Sequence, residues 1–381
     1  SVYSTNGHVY VGDDGGVSKS ASHGNSNTWI DLNASGLNVT EFYGLSGVEE
    51  QPNLIFGGAQ DNYVWRFENG VPSFVQTGWD GYKTESYQDA SGNVQVFYQY
   101  GPGKYPSNME RKQDGGSSPV GILPNRDSFW GGTYTGPDQH SRPIYKYPNG
   151  KFYVGQNDLY FSSNNGGNGY PIDAGDYTAA GLSGQPPFNN NVDHVNAFTV
   201  SPLDENRIYV AFGGAGDYGG SDHFRFQLYF NDPQNGWQNR TPGWPTACSS
   251  CSTCNAYATC GASITGVVSD PNNYNRVWIC FNNFDYDADR TLSDQKKTGV
   301  KFSDDAGVTW HDMNTNLPNF PINCITYQKG TDDILYIGTD AGVFRWVHAS
   351  GQSAWVGYWE CFNVGLDPTR RMPSCMVRDI N

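Results

Sequence analysis

The chain has 381 residues, of which 37% are hydrophobic, 15% aromatic and only 16% charged, and its formal net charge is −15. A surface this acidic and without a basic stripe repels a phosphate backbone and excludes nucleic acid as a partner. No apolar run approaches the ~18 residues of a membrane-spanning helix, and no 3.6-residue stripe marks a long amphipathic helix.

With 47 glycines, and with 25 tyrosines outnumbering the 23 lysines and arginines, the composition is that of strands and tight turns, an all-β chain. One pattern recurs along it: an apolar β-run, a Gly/Asp turn and a second β-run. The first copy reads His8-Val9-Tyr10-Val11-Gly12-Asp13-Asp14-Gly15-Gly16-Val17, with partner strands expected out to residue 33. The second is centred on 53–78 and opens on Asn53-Leu54-Ile55-Phe56-Gly57-Gly58. A third unit over 84–125 ends in the degenerate turn Lys112-Gln113-Asp114-Gly115-Gly116-Ser117-Ser118. A fourth, over 129–175, carries Phe152-Tyr153-Val154-Gly155-Gln156-Asn157-Asp158-Leu159-Tyr160 and then Ser163-Asn164-Asn165-Gly166-Gly167.

The fifth and sixth units, 194–243 and 262–314, share a longer lead-in. It reads Ser201-Pro202-Leu203-Asp204-Glu205-Asn206-Arg207-Ile208-Tyr209-Val210 in one and Ser269-Asp270-Pro271-Asn272-Asn273-Tyr274-Asn275-Arg276-Val277-Trp278 in the other. The last full unit, 322–365, holds Leu335-Tyr336-Ile337-Gly338-Thr339-Asp340-Ala341-Gly342-Val343-Phe344. Cys375-Met376-Val377-Arg378-Asp379-Ile380-Asn381 is left as a closing strand, expected to join the sheet begun by residues 8–33. Seven units over 381 residues is about 54 each, the size of a four-stranded sheet with its loops; six or eight units stay open because 84–150 fits the repeat poorly. The repeat runs end to end without a Pro/Ser linker, so 1–381 is expected to be a single domain.

Cys248, Cys251, Cys254 and Cys260 crowd one loop, and Cys280, Cys324, Cys361 and Cys375 lie near the last two units and the closing strand. Disulfides are the expectation, Cys361 with Cys375 among them, because the 248–260 loop lacks Lys, Arg and His and a long irregular loop gains from a staple. A zinc or iron–sulfur site is the alternative for the C-x2-C steps. Asp285, Asp287 and Asp289 alternate as carboxylates of a calcium site do, although Arg290 stands where a calcium loop places Gly; a solvated acidic loop is the other reading. Asn33-Ala34-Ser35, Asn38-Val39-Thr40 and Asn239-Arg240-Thr241 are sequons compatible with secretion. The start Ser1-Val2-Tyr3 shows no charged-then-apolar leader, as expected if a signal peptide has been removed or the chain is a fragment.

Ser303-Asp304-Asp305-Ala306-Gly307-Val308-Thr309-Trp310 is the most specific stretch. Its Asp can accept N–H groups inside a tight turn, its Gly can take a positive φ, and its Trp can tuck between sheets. With Ser303, Asp305, Gly307, Thr309 and Trp310 in place, it resembles the Asp-box of BNR-type β-propellers. That group includes sialidases, sortilin-like receptors, family 74 glycoside hydrolases and secreted surface proteins of Bacteroidetes. The phrases Gly57-Gly58-Ala59-Gln60-Asp61-Asn62 and Asn316-Leu317-Pro318-Asn319-Phe320 are similar to those of the surface proteins. The resemblance implies one seven-bladed propeller of four-stranded antiparallel blades, its ring closed by N- and C-terminal strands in a shared blade.

It also implies where ligands bind. In a propeller the loops leading into each first strand, and those between the two middle strands, gather on one face. Trp79, Tyr82, Arg126, Asp127, Trp244, Arg370 and Arg371 are the expected ligand-binding residues there, with Trp130 and Tyr134 as further aromatics; any of the aromatics can equally serve packing. Asp80 and Glu85, or Asp193 and His194, are the candidate acid and base. The enzyme signatures of the group are incomplete: Arg142-Pro143-Ile144 only scrambles the sialidase motif, and family 74 enzymes work between two propellers where 381 residues supply one. No nucleophile elbow, zinc helix or phosphate loop occurs. The expected function is therefore a secreted or cell-surface module that binds carbohydrate or protein, or builds an extracellular assembly. The alternative is a polysaccharide-degrading hydrolase or lyase.

Overall fold

The computed structural model describes residues 2–5, 8–13, 16–20, 22, 23, 25, 28–31, 40–101, 108–116, 118–122, 143–148, 150–155, 158–163, 178–180, 193–214, 226–242, 264–282, 299–318, 320–362, 376, 377, 379 and 380. Among them there is no helix, and the strands form seven four-stranded antiparallel sheets. Sheet one is β1 (Val2–Thr5), β2 (His8–Asp13), β3 (Gly16–Ser20) and β4 (Trp29–Asp31). Sheet two is β5 (Phe42–Val48), β6 (Gln51–Ala59), β7 (Val64–Glu68) and β8 (Val71–Gln76); sheet three is β9 (Asp80–Gln88), β10 (Val94–Gly101), β11 (Asn108–Gln113) and β12 (Val120–Gly121). Sheet four is β13 (Ile144–Lys146), β14 (Phe152–Gly155), β15 (Leu159–Ser162) and β16 (Thr178–Ala179); sheet five is β17 (Asp193–Ser201), β18 (Asp204–Gly214), β19 (Phe226–Asp232) and β20 (Gly236–Asn239). Sheet six is β21 (Ile264–Ser269), β22 (Val277–Phe281), β23 (Gly299–Ser303) and β24 (His311–Asp312); sheet seven is β25 (Ile322–Tyr327), β26 (Leu335–Thr339), β27 (Gly342–His348) and β28 (Gly357–Cys361).

In every sheet the strands are neighbours in chain order, each folding back on the one before. Such up-and-down sheets, seven in number, fit a seven-bladed β-propeller and settle the blade count left open by the poorly matching 84–150 region. The chain divides into two compact units, 1–119 and 120–381. In the first unit, Val48, Leu54, Phe56 and Val64 of sheet two pack on Val94, Val96 and Tyr98 of sheet three. In the second unit, sheet five packs on sheet four through Tyr153, Leu159, Val195 and Val210, on sheet six through Tyr209, Leu228, Val277 and Ile279, and sheet six on sheet seven through Trp278, Phe302, Ile337 and Trp346.

Burial differs from strand to strand, and this explains the residue types. β14 and β22 are buried along their whole length and read as unbroken apolar runs, Phe-Tyr-Val-Gly and Val-Trp-Ile-Cys-Phe. Of the fourth strands, β8 is largely exposed, whereas β28 exposes Tyr358 and Glu360 and buries Trp359; β8 carries Pro72, and its pairing with β7 shifts register between Val64 and Trp65, devices that blunt a free edge.

Two expectations need correction. Sheet one has its own first strand, β1, with Thr5 opposite His8; Asn6-Gly7 is the residue pair that a two-residue hairpin needs, and closing so short a loop costs far less than recruiting a strand hundreds of residues away. The described closing residues 376, 377, 379 and 380 are not strand; instead Val377 N–H donates to Thr339 O (2.9 Å) and Asn323 Nδ2 donates to Val377 O (3.2 Å), both on sheet seven. Second, Cys280, Cys324 and Cys361, expected in disulfides, are thiols. Cys280 and Cys324 are buried, and burial pushes the Cys280 thiol up to about 12, so it behaves as a small apolar side chain. Cys248, Cys251, Cys254, Cys260 and Cys375 lie outside the described residues.

Candidate functional site

Trp79 and Asp80 stand where the chain leaves sheet two and enters β9, and the turn between the middle strands of sheet two, residues 60–63, comes to the same place. Asp61 N–H donates to Asp80 Oδ1 at 2.9 Å, so one carboxylate ties the turn of one sheet to the lead-in of the next. Those two loop classes meeting is the arrangement expected from the repeat.

The turn is built from a residue sequence suited to it. Ala59 N–H donates to Tyr63 O (2.9 Å) and Asn62 Nδ2 to Gln60 O (3.0 Å). Asp61 has φ +54°, which Asp tolerates; Tyr63 has φ +72°, which a bulky residue rarely adopts, and its ring is held edge-on against Phe74 at 5.5 Å. Close approach makes glycine necessary beneath the turn: a Cβ on Gly58 would lie 1.8 Å from Tyr82 O, and one on Gly81 would lie 2.2 Å from Tyr63 O.

Trp79 is about half exposed, at 49%. Tyr82, expected beside it on the binding face, is fully buried and stacked on Tyr43 at 5.9 Å, with Tyr43 donating to Gln60 Oε1. Burial first, and then the charge of Asp80, push the Tyr82 phenol well above its ordinary value. Tyr82 therefore braces the loops from below, and strand alternation is the reason: Tyr82 and Thr84 share the inward face of β9. Glu85 sits inside β9 opposite Phe97, away from the loop. Asp193 and His194 are the first residues of β17, opposite Gly214 and Gly213, in the second unit. Arg126, Asp127, Trp130, Tyr134, Trp244, Arg370, Arg371 and the acidic trio Asp285, Asp287 and Asp289 lie outside the described residues.

The carboxylates whose pKa moves serve turns. Asp89 is held below the usual range by Asn93 N–H, and Asp232 by Gln234 N–H. For Asp305, burial acts upward but is outweighed by the N–H and hydroxyl of Thr309 and the hydroxyl of Ser303. No group of three or more His, Cys, Asp or Glu among the described residues is placed to hold a metal ion. Sequence reasoning missed Asp61 and Tyr63, although the phrase Gly57-Gly58-Ala59-Gln60-Asp61-Asn62 carried the signal: paired glycines mark backbone contact and Asp-Asn marks a positive-φ turn.

No protein-family model and no curated protein matches the chain. Among solved structures it is similar to a GH74 enzyme of Niastella koreensis, with TM-score 0.51 and 16% identity over 94% of this chain and 53% of that one. It is also similar to Ycf48 from Cyanidioschyzon merolae, with TM-score 0.50 and 11% identity over 88% of this chain and 87% of that one. A further likeness is to PorZ, an essential surface component of the type IX secretion system of Porphyromonas gingivalis, with TM-score 0.50 and 16% identity over 93% and 47%. The chain spans about half the length of the GH74 enzyme and of PorZ. All three are β-propeller proteins, and at these identities the likeness is one of fold.

Proposed function

We propose that this chain is a propeller module that acts outside the cell, secreted or at the cell surface, by binding a glycan or protein through the loops around Trp79. The observation that carries the reading is a half-exposed Trp on a lead-in loop that is braced from two sides. The Asp61 to Asp80 hydrogen bond, the Tyr82 to Tyr43 stack and the glycine contacts hold that loop rigid, so little freedom is lost when a ligand settles on it. An indole presents a flat apolar face to the C–H side of a sugar ring, while the carboxylates and carboxamides of residues 60–62 and 80 are suited to its hydroxyls. The surface role of PorZ and the glycoside hydrolase class of the GH74 enzyme are consistent with an extracellular setting.

Asp80 is engaged in holding the loop, which favours binding over acid–base work. The test is a glycan array probed with the whole chain, followed by titration of the hits and a reducing-sugar assay on the same glycans. Trp79→Ala should cost a bound glycan ~1–3 kcal/mol, the worth of aromatic stacking on bases taken as a guide. No reducing ends should appear. Release of reducing sugar that disappears in Asp80→Asn would replace this reading with a polysaccharide-degrading enzyme.

A further inference from the structure

A cleft of about 490 Å³ opens between sheets six and seven, at the end of the strands opposite to their lead-in loops. Its volume lies in the range of small-molecule sites. Three turns form it: β21 to β22, β25 to β26, and β27 to β28. Its base is fixed by one arginine. Arg276 Nη1 donates to Asp270 at 2.5 Å and Nη2 to Asp333 at 2.6 Å, and the guanidinium lies 5.2 Å from the Trp278 ring, so its charge is spent on groups that both sheets supply.

What such a cleft can take follows by elimination. Asp270, Asp332 and Asp333 against Arg276 leave the lining at −2 with His348 neutral, which repels anions. The wall is polar, which disfavours an acyl chain or an aromatic ligand, and no described group of His, Cys, Asp or Glu is placed to hold a metal. An organic cation would rely on Asp332, whose exposed carboxylate attracts weakly in water. The remaining lining suits hydroxyl groups, which both donate and accept. Asn272 carries a carboxamide that does the same, Asn273 presents its Nδ2 while its Oδ1 accepts the Asn275 N–H (3.0 Å), Ser350 adds a hydroxyl, and Asp332 accepts. His348 Nε2 faces the carbonyls of Gln352 (3.0 Å) and Ser353 (3.2 Å), so that nitrogen carries the proton and Nδ1 is the acceptor in the neutral ring.

We propose that this cleft is a second binding site, for a short neutral saccharide held by hydrogen bonds to planar side chains over the Asp270–Arg276–Asp333 clamp. The site stands on its own turns and does not depend on the Trp79 reading.

The experiment titrates the whole chain with cellotetraose, maltotetraose and mannotetraose, with oligogalacturonate as the acidic probe and spermidine as the cationic one. Occupation of the cleft is read from the His348 imidazole resonances, assigned with His348→Gln. At least one neutral saccharide should shift those resonances in the wild type and in Trp79→Ala alike. Its affinity should fall at least tenfold in the Asn272→Ala/Asp332→Ala double variant, whose two sites are exposed turn positions. Shifts produced only by oligogalacturonate or only by spermidine would overturn the saccharide assignment. Unmoved His348 resonances with every probe would overturn the site itself. A glycan that binds, is lost in Trp79→Ala and leaves His348 unmoved would overturn the cleft while sparing the proposed function.

Discussion

Single residues in this chain act chiefly by closing turns, and the 303–310 turn shows how. Ser303 Oγ accepts Gly307 N–H (2.8 Å), Asp305 Oδ1 accepts Thr309 N–H (2.8 Å) and Oδ2 accepts the Thr309 hydroxyl (2.7 Å). Ala306 and Gly307 take φ +60° and +82°, which turns the chain so that Trp310 packs against the cluster between sheets five and six and donates its indole N–H to Arg240 O at 3.0 Å. Because Asp305 is held below its unfolded value near 3.8, its stabilisation is present in full above that pH and is lost as the pH falls through the lower folded value. Asp305→Asn should therefore melt below the wild type at pH 7, and the gap should shrink on acidification below about 3.8, followed by circular dichroism. A gap that is independent of pH would show that the charge plays no part. At Gly58 the limit is steric. A methyl group there meets backbone, which cannot rotate away, so Gly58→Ala should cost at least ~1–3 kcal/mol in urea denaturation.

At the scale of elements, adjoining sheets are locked by side chains that reach from one to the next. Arg276, from the β21 to β22 turn, binds Asp270 beside it and Asp333 in the next sheet, and Asp270 is almost fully buried. The same position in the preceding sheet holds Arg207, which pairs with Asp204 and lies 3.8 Å from the Tyr274 ring of sheet six. The shared lead-in visible in the sequence is thus a repeated inter-sheet contact. Removing one partner of a buried pair strands the other charge, an effect of ~3–5 kcal/mol when fully buried. Arg276 is one-fifth exposed, so Arg276→Met should fall below that range, at about 2–3 kcal/mol. A shift under ~0.5 kcal/mol in the urea midpoint would place Arg276 among ordinary surface ion pairs.

For the whole molecule, the ends of the chain make separate commitments. β1 belongs to sheet one, whereas Val377 lies on sheet seven, its side chain 2.7 Å from where a Cβ on Gly338 would stand. Truncation of 376–381 removes at least the two described hydrogen bonds of Val377, worth ~1 kcal/mol each, and a part-buried Val, so the melting temperature should fall by several degrees. Hydrogen exchange should lose protection in β25 and β26. Loss confined to β1 to β4 would mean instead that the closing segment supports sheet one.

How much of this was legible in the sequence depends on the range of the interaction. Strand alternation, glycine-bearing turns and the 303–310 turn are set by contacts within a few residues, so the all-β class, the four-stranded sheets and most sheet boundaries could be read directly. The lead-in loop at Trp79 and Asp80 was legible for the same reason. Only the tertiary structure decided that Tyr82 faces inward against Tyr43, that sheet one takes its first described strand from Val2–Thr5, that Cys280 and Cys324 are buried thiols, and that Arg276 joins two sheets beneath a cleft. Each of these is a choice among partners far apart in the chain. Local propensity is silent on such choices, because what settles them is which backbone can approach closely and which charge is left to be paired once the sheets have packed.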